Sequence, residues 1–405
     1  MDSGKPFVGL SGIFDSRLSI KMKNITSLTL AIFPALAFGV TIQAKPWEKH
    51  VIHEGFRTNT AVAADFDGDG DMDVISNSAT KTRLFLAPDW KEVILDATPR
   101  HGFIHSEVTD VDGDGDPDYI GARYKPGLIV WLENPGGCRA ATDRWVLRVA
   151  CEKLNGIHGV IIGDVNKDGR PDLVANSGQP DHLHPNSAAW LEIPKDPKSA
   201  ERWPTHIFAD RDAPGLSHYL GVGDVNGDGR PDISIAAKGG FDVNKFGKGE
   251  WFAWYEAPKD PTKPFKRHEL PGVHPGATNI HPADVNGDGK TDLVASRGHG
   301  EGLIWFENPS WDIHTIHCSL KSPHCLQVLD MDGDGDIDAA TCAYESKIAA
   351  WFENDGKGNF TTHIVDDDQA AYDIRAVDMD ADSDIDLLIA GQGSQNVVWL
   401  ENPSK

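Results

Sequence analysis

The sequence predicts an all-β chain, a seven-bladed β-propeller with four-stranded blades and a ring closed by the N-terminal strand. Three observations predict it. An aspartate-rich stretch occurs seven times: DFDGDGDMD (65–73), DVDGDGDPD (110–118), DVNKDGRPD (164–172), DVNGDGRPD (224–232), DVNGDGKTD (284–292), DMDGDGDID (330–338) and DMDADSDID (378–386). The copies start 45, 54, 60, 60, 46 and 48 residues apart, a period that marks blades or solenoid repeats. Each copy also carries the same escort of short β-rich segments bounded by turn residues, enough for four strands per copy.

The elements follow in order. A short alternating segment precedes each copy ("AVAAD", "GVIIGD", "LGVGD"), and a second strand follows it ("DVISNS", "DLVANS", "DLLIAG"). A third strand ends in an aromatic–Glu–turn signature: WLENP at 131, WLEIP at 190, WYEAP at 254, WFENP at 305, WFEND at 351 and WLENP at 399, with LFLAP at 84 the degenerate copy. A fourth strand comes next ("WKEVIL", "WVLRVA", "WPTHIF", "FKRHEL", "WDIHTI", "FTTHIV"). The last copy lacks one, while "WEKHVI", Trp47 to Ile52, stands unclaimed ahead of the first. Pairing the two gives every blade four strands and removes the open sheet edge.

The aspartate stretches read as loops between the first and second strands of a blade. Asp or Asn holds positions one, three, five and nine throughout: Asp65, Asp67, Asp69, Asp73; Asp110, Asp112, Asp114, Asp118; Asp164, Asn166, Asp168, Asp172; Asp224, Asn226, Asp228, Asp232. The last three loops place Asp284, Asn286, Asp288, Asp292; Asp330, Asp332, Asp334, Asp338; and Asp378, Asp380, Asp382, Asp386 there. Oxygen donors at alternating positions around a turn suit Ca2+, up to seven ions, better than Mg2+, which prefers to keep its waters. The flanks are strands and position twelve carries no Glu, so these are not EF-hands. The seventh loop, with Ala381 and Ser383 in place of glycines, is expected to bind most weakly.

The DxDGDGxxD loops between short strands resemble FG-GAP/VCBS repeats, the calcium-bearing repeats of integrin α-like propellers, over 47–403. That resemblance implies the fold and calcium but no activity. The W-x-E-N-P and W-x-x-H-x-I pattern also resembles the propeller domain of aldos-2-ulose dehydratase-like proteins, whose cupin domains are lacking here.

Composition limits the function classes. Of 405 residues, 62 are Asp or Glu and 38 Lys or Arg, a formal net charge of −24. That excludes the basic footprint of a nucleic-acid binder and disfavours anionic membrane surfaces. Residues 1–44 read as an N-terminal extension and signal peptide, and 45–405 as the propeller. A basic start at Met22-Lys23-Asn24, an apolar run from Ile25 to Val40 and Ile42-Gln43-Ala44 predict export to the periplasm or beyond, with an uncleaved anchor as the alternative. No later segment is long and apolar enough for membrane insertion after cleavage. Export permits disulfides, and Cys138 with Cys151 and Cys318 with Cys325 are the close pairs; five reduced thiols, Cys342 included, is the competing reading.

Since the aspartate loops take one face, function is expected on the other. There the inner strands begin with His105, His158, His218, His281 or Asn279, His324 and Tyr372-Asp373, usually six residues before the first loop aspartate. The ends of the second strands add Arg123, Tyr124, Lys238, Arg297, His299, Glu301 and Tyr344; longer connections add His182, His184 and the insert GGFDVNKFGKGEWFAW. The candidate catalytic set is His105, His158, His218, His324, Arg123, Arg297 and Tyr372. A copied His bonding to its neighbouring blade is one reading. A transition-metal site such as Zn2+ is another, since imidazole suits it. A pocket for a carbohydrate or small anionic ligand is the third. Whether the protein is an enzyme stays open; as an enzyme it would be a carbon–oxygen lyase acting on a sugar or polysaccharide, with His as base, Tyr as acid and Arg on the carboxylate. As a non-enzyme it would be an extracellular ligand-binding or adhesion module, with a protein partner. No G-x-S-x-G, H-E-x-x-H, nucleotide loop or CxxC pair appears, which disfavours hydrolase and redox classes.

Overall fold

A computed structural model of the chain describes residues 46–99 and 101–403. The export signal expected within residues 1–44 lies outside the described residues. Seven separate four-stranded antiparallel sheets form the blades, six of them running in chain order from the inner to the outer strand. Blade 1 spans 58–96, blade 2 105–151, blade 3 160–209, blade 4 217–269, blade 5 279–321 and blade 6 323–366. Blade 7 takes three strands from the C-terminal end and its outer strand, Glu48–Glu54, from the N-terminal end. His50 there lies opposite Trp399, so the ring closes as expected.

Seven hydrophobic clusters fill the spaces between blades. One joins Ala61, Val74 and Phe85 of blade 1 to Leu388, Val397 and Trp399 of blade 7, so the closure is packed as well as paired. Burying each large apolar side chain contributes ~1.5–3 kcal/mol.

The third-strand signature is explained by cross-strand contacts. In five blades its Trp stacks on the fourth-strand His directly opposite: His50 on Trp399, His206 on Trp190, His268 on Trp254, His314 on Trp305 and His363 on Trp351, with ring centres 4.1–4.5 Å apart. In four of the five the Glu two residues on shares the same face and meets that ring, as in Glu256 to His268 at 2.8 Å; in blade 3 His206 Nε2 has no such partner. Blade 2 substitutes Arg148, which lies over Trp131 and pairs with Glu133 at 2.7 Å. These histidines brace the third and fourth strands of their own blades. The Asn of the signature clamps two blades. Asn134 Nδ2 donates to the carbonyls of Phe66 and Pro117, joining blades 1 and 2; Asn308 joins blades 4 and 5 and Asn354 blades 5 and 6 in the same way.

The aspartate loops turn as their glycines require. Positions four and six adopt left-handed backbone in all seven, from Gly68 (φ 73°) and Gly70 (φ 100°) to Ala381 (φ 62°) and Ser383 (φ 76°). The first aspartate accepts loop N–H groups, as Asp65 does from Gly68, Asp69 and Gly70. The ninth accepts from the loop start and, in six blades, from the third-strand end; Asp118 takes the N–H groups of Val111 and Asn134.

The cysteines correct one expectation. All five are free thiols. Cys318 is exposed on the outer strand of blade 5 while Cys325 is buried on the inner strand of blade 6, and Cys138 is exposed while Cys151 is buried; neither close pair in sequence is bridged.

Candidate functional site

Each inner strand runs from the channel mouth down to its aspartate loop. Six residues before the first loop aspartate, the seven blades place Asn59, Ile104, His158, His218, Thr278, His324 and Tyr372 around the mouth. A second register completes it. Fourteen residues after the same aspartate stand Ala79, Tyr124, Gly178, Lys238, Gly298, Tyr344 and Gln392. Between them these two registers supply most of the lining of two adjoining cavities. The larger, about 600 Å³, is lined by Arg57, Asn59, Ala79, Ile104, Tyr124, His158, Lys238, Tyr372 and Gln392. The smaller, about 360 Å³, shares Arg57, Tyr372 and Gln392 and adds Gly298, His299, Ser322, His324, Tyr344 and Glu345.

The mouth gathers four histidines from four consecutive blades. One ring nitrogen each from His158, His218, His299 and His324 lies within 4.8 Å of all the others. Blade 5 has Thr278 in the inner register and delivers its imidazole from the neighbouring hairpin. A Cβ at Gly298 would sit 2.8 Å from the Cα of His324, so only glycine lets that hairpin close in. His218 Nε2 is 3.1 Å from His299 Nε2, and His158 Nε2 is 3.1 Å from the Tyr372 hydroxyl. His324 Nδ1 meets the Tyr372 carbonyl at 2.9 Å, and the His324 ring stacks on Tyr372.

Burial sets the protonation of this cluster. It drives His158, His218 and His324 well below the usual imidazole range, with the neighbouring histidines and Lys238 adding to it. His299 falls to about 4 for the same reasons, burial first and then Lys238. All four are neutral at pH 7, with a lone pair on each ring. Burial also lowers Lys238 and raises Tyr124 and Tyr372, so both phenols stay protonated.

Below the mouth lies a second tier. Arg375 is buried in the channel, with Nη1 3.1 Å from Glu107, Nη2 donating to the Ser106 carbonyl at 2.8 Å, and Nε 3.4 Å from Asp373. Asp373 in turn accepts from Thr60 Oγ1 at 2.8 Å. Burial opposes the charge on Arg375, but Asp373 and Glu107 outweigh it and raise its pKa.

Of the sequence candidates, the structure brings together His158, His218, His324 and Tyr372, and with them Tyr124, Lys238, His299 and Tyr344. It places His105 elsewhere: one residue out of register, the ring turns down to Arg375 Nη2 at 3.2 Å. His281, three residues before its loop, is also deep, and burial and Arg375 lower it to about 4. Arg297 is held by the Glu301 carbonyl and by His274 of the connection between blades 4 and 5, and neither it nor Arg123 lines the two cavities. Sequence reasoning missed Arg57, Asn59 and Gln392. Asn59 and Gln392 stand in the two registers and could have been found by aligning the seven copies; Arg57 lies in the connection from blade 7 and carries no repeat signal.

The loop side chains fit a hard cation. Carboxylate oxygens of Asp65, Asp67 and Asp73 lie within 4.8 Å of one another, as do those of Asp110, Asp112 and Asp118 and of Asp330, Asp332 and Asp338. Burial pushes the ninth-position carboxylates up, to about 7 for Asp73, Asp118, Asp172 and Asp386 and about 6 for Asp232, Asp292 and Asp338. A neighbouring positive charge is what would hold them ionised. Protein cations already supply some: Lys198 Nζ is 2.8 Å from Asp112, and Arg170, Arg230 and Lys290 pair with the fifth-position aspartates of their own loops.

The blades, their loops and the ring closure define a β-propeller assembled from seven copies of one repeat. The FG-GAP-like repeat family matches residues 110–175, 224–295 and 330–402, more than half of the chain. The chain belongs to that family. No curated protein matches it in sequence. Among solved structures it is similar to a streptogramin B lyase (11% identity, TM-score 0.57, covering 88% of this chain and 97% of that one). It is similar as well to virginiamycin B lyase from Staphylococcus aureus (10%, 0.57, 88% and 99%). A third is BBS1N in complex with ARL6DN (10%, 0.56, 89% and 98%). At these identities the likeness is one of fold alone.

Proposed function

We propose that the mouth cavity binds an anionic carbohydrate, and that its groups support elimination at a carbon–oxygen bond. One observation carries this reading: Arg57, Lys238, Tyr124, Tyr372 and His158 line a single open cavity of about 600 Å³. That volume suits a small ligand, and convergent polar groups in such a cavity fix its orientation. In a chain of net charge −24, two cations at one opening favour a negatively charged guest.

The roles follow from the chemistry. Arg57 and Lys238 take the carboxylate and stabilise charge that develops on it once the adjacent C–H bond breaks. Tyr372, protonated and backed by His158, faces the cavity. The Tyr372–His158 pair receives the proton from carbon and returns one to the leaving oxygen as the double bond forms. Calcium in the aspartate loops would stiffen the frame, and the N-terminal segment supports work in the periplasm or outside the cell. Binding without turnover is the second reading. It is favoured by Leu183 and Phe241, 65% and 94% exposed in the long connections of blades 3 and 4, where a partner could seat.

The test is calorimetric titration with uronate oligosaccharides and ketosugars, alongside a screen for the ultraviolet absorbance of an unsaturated product. Arg57→Ala and Lys238→Ala should each weaken binding about tenfold, ~1.4 kcal/mol. Tyr372→Phe should bind normally and form no product. Absence of binding by every acidic glycan tried would sink the reading.

A further inference from the structure

We propose that His158, His218, His299 and His324 form a binding site for one divalent transition-metal ion of the zinc, copper, nickel and iron class. Four imidazoles and no carboxylate make a donor set that these ions prefer over calcium or magnesium. The hard oxygen donors of the aspartate loops lie at the opposite end of the inner strands, so the two kinds of site do not compete.

The spacing is already that of a coordination shell. With metal–nitrogen bonds of about 2.0–2.1 Å, tetrahedral ligands sit roughly 3.3 Å from one another. The Nε2 atoms of His218 and His299 are 3.1 Å apart, and all four donors lie within 4.8 Å. The second observation is independent. His158 Nδ1 and His324 Nε2, the two nitrogens those rings would turn to the ion, are buried and have no hydrogen-bond partner among the described residues. Buried polar atoms are rarely left so, and here two occur in one cluster.

The supporting contacts orient the rings for this task. With His324 Nδ1 donating to the Tyr372 carbonyl, its Nε2 carries a bare lone pair. His158 Nε2 stays with the Tyr372 hydroxyl and leaves Nδ1 for the cluster. Such second contacts fix tautomer and direction in metal-binding histidines. His299 is desolvated by its neighbours at the ring yet is the most accessible of the four and borders the smaller cavity, which provides an entry path for the ion. Repetition does not account for the set, because the fourth ring comes from the hairpin of the one blade of this arc whose inner register holds Thr278.

The site stands whether or not the cavity takes a carbohydrate, but an ion on His158 Nδ1 leaves Nε2 protonated and unable to accept a proton through Tyr372, so the metal-loaded protein would bind a carbohydrate without turning it over. Full-length protein stripped of transition metals, in excess Ca2+ to saturate the loops, is titrated with Co2+. One Co2+ per chain should bind, with the visible absorption of a tetrahedral nitrogen site, and Zn2+ should displace it. His299→Ala, at an exposed hairpin where the fold is not at stake, should weaken binding at least tenfold, and His218→Ala likewise; His317→Ala on an outer strand should change nothing. Absence of stoichiometric Co2+ and Zn2+ binding by the wild type overturns the proposal. So does undiminished binding by a folded His299→Ala/His218→Ala double variant. Metal binding without glycan binding would remove the carbohydrate reading alone, and the reverse result would remove this one.

Discussion

The two faces of the propeller differ in how they use repetition. On the loop face, the copies do the same thing: the first aspartate gathers loop N–H groups and the ninth closes the loop start, in six blades tying it to the third strand as well. At the mouth, the equivalent positions hold Asn, Ile, His, His, Thr, His and Tyr in one register, and Ala, Tyr, Gly, Lys, Gly, Tyr and Gln in the other. The backbone frame is shared; the side chains are not. Identical residues at repeated positions mark what every blade needs in order to fold. Varied polar residues at repeated positions mark a surface shaped once for the whole ring.

The largest expected effect breaks the loop face as a whole. A site saturated a hundredfold above its Kd adds ~2.7 kcal/mol. Several such sites together rival the ~5–15 kcal/mol that holds a typical domain folded. Chelating calcium should therefore lower the unfolding temperature steeply, and adding calcium back should restore it, as read by scanning calorimetry. An unfolding temperature indifferent to calcium would show that backbone N–H groups and Lys198, Arg170, Arg230 and Lys290 neutralise the loops unaided.

The next test concerns the channel, where the contrast between faces is least clean. The Arg375 tier is asymmetric like the mouth, yet its groups are buried and bonded to one another across blades 1, 2 and 7. Removing one partner from a buried charge network costs about 3–5 kcal/mol, because the remaining charges stay buried and unpaired. Arg375→Ala should lose that much in urea unfolding. A loss below ~1 kcal/mol would mean that this tier is not a structural tie.

Much of this was legible beforehand. Seven spaced copies of one motif fixed the blade count, and the unclaimed strand at Trp47 to Ile52 fixed the closure, since both rest on local pattern. The mouth was legible only in part. Counting back from each aspartate found His158, His218, His324 and Tyr372, because strand register carries over from blade to blade. The same count admitted His105, which lies one residue off; a one-residue shift along a strand turns a side chain to the other face. Arg57 sits in a connection with no repeated register, and the tie of Arg375 to Glu107 joins residues 268 apart in sequence, which no local pattern reports. The clamp made by Asn134, Asn308 and Asn354 was visible as a signature, but its purpose needed the neighbouring blade.

The smallest expected effect tests the repetition rule from inside the loop face. The seventh loop keeps the left-handed turn without glycine: Ser383 has φ 76° where Gly335, its counterpart in the sixth loop, has φ 98°. A non-glycine residue held there costs of order 1–3 kcal/mol, partly offset because glycine loses more freedom on folding. Ser383→Gly should thus stabilise the protein by about 1 kcal/mol, and Gly335→Ser should destabilise it by a similar amount. A Cβ added at Gly335 would meet nothing within 4 Å, so the reverse swap isolates the backbone term from packing. Paired chemical denaturation of the two variants, in calcium and in chelator, gives both signs. If Ser383→Gly destabilises while Gly335→Ser behaves as expected, the serine side chain holds the seventh loop through its own contacts, and that loop has left the repeat for a reason beyond drift.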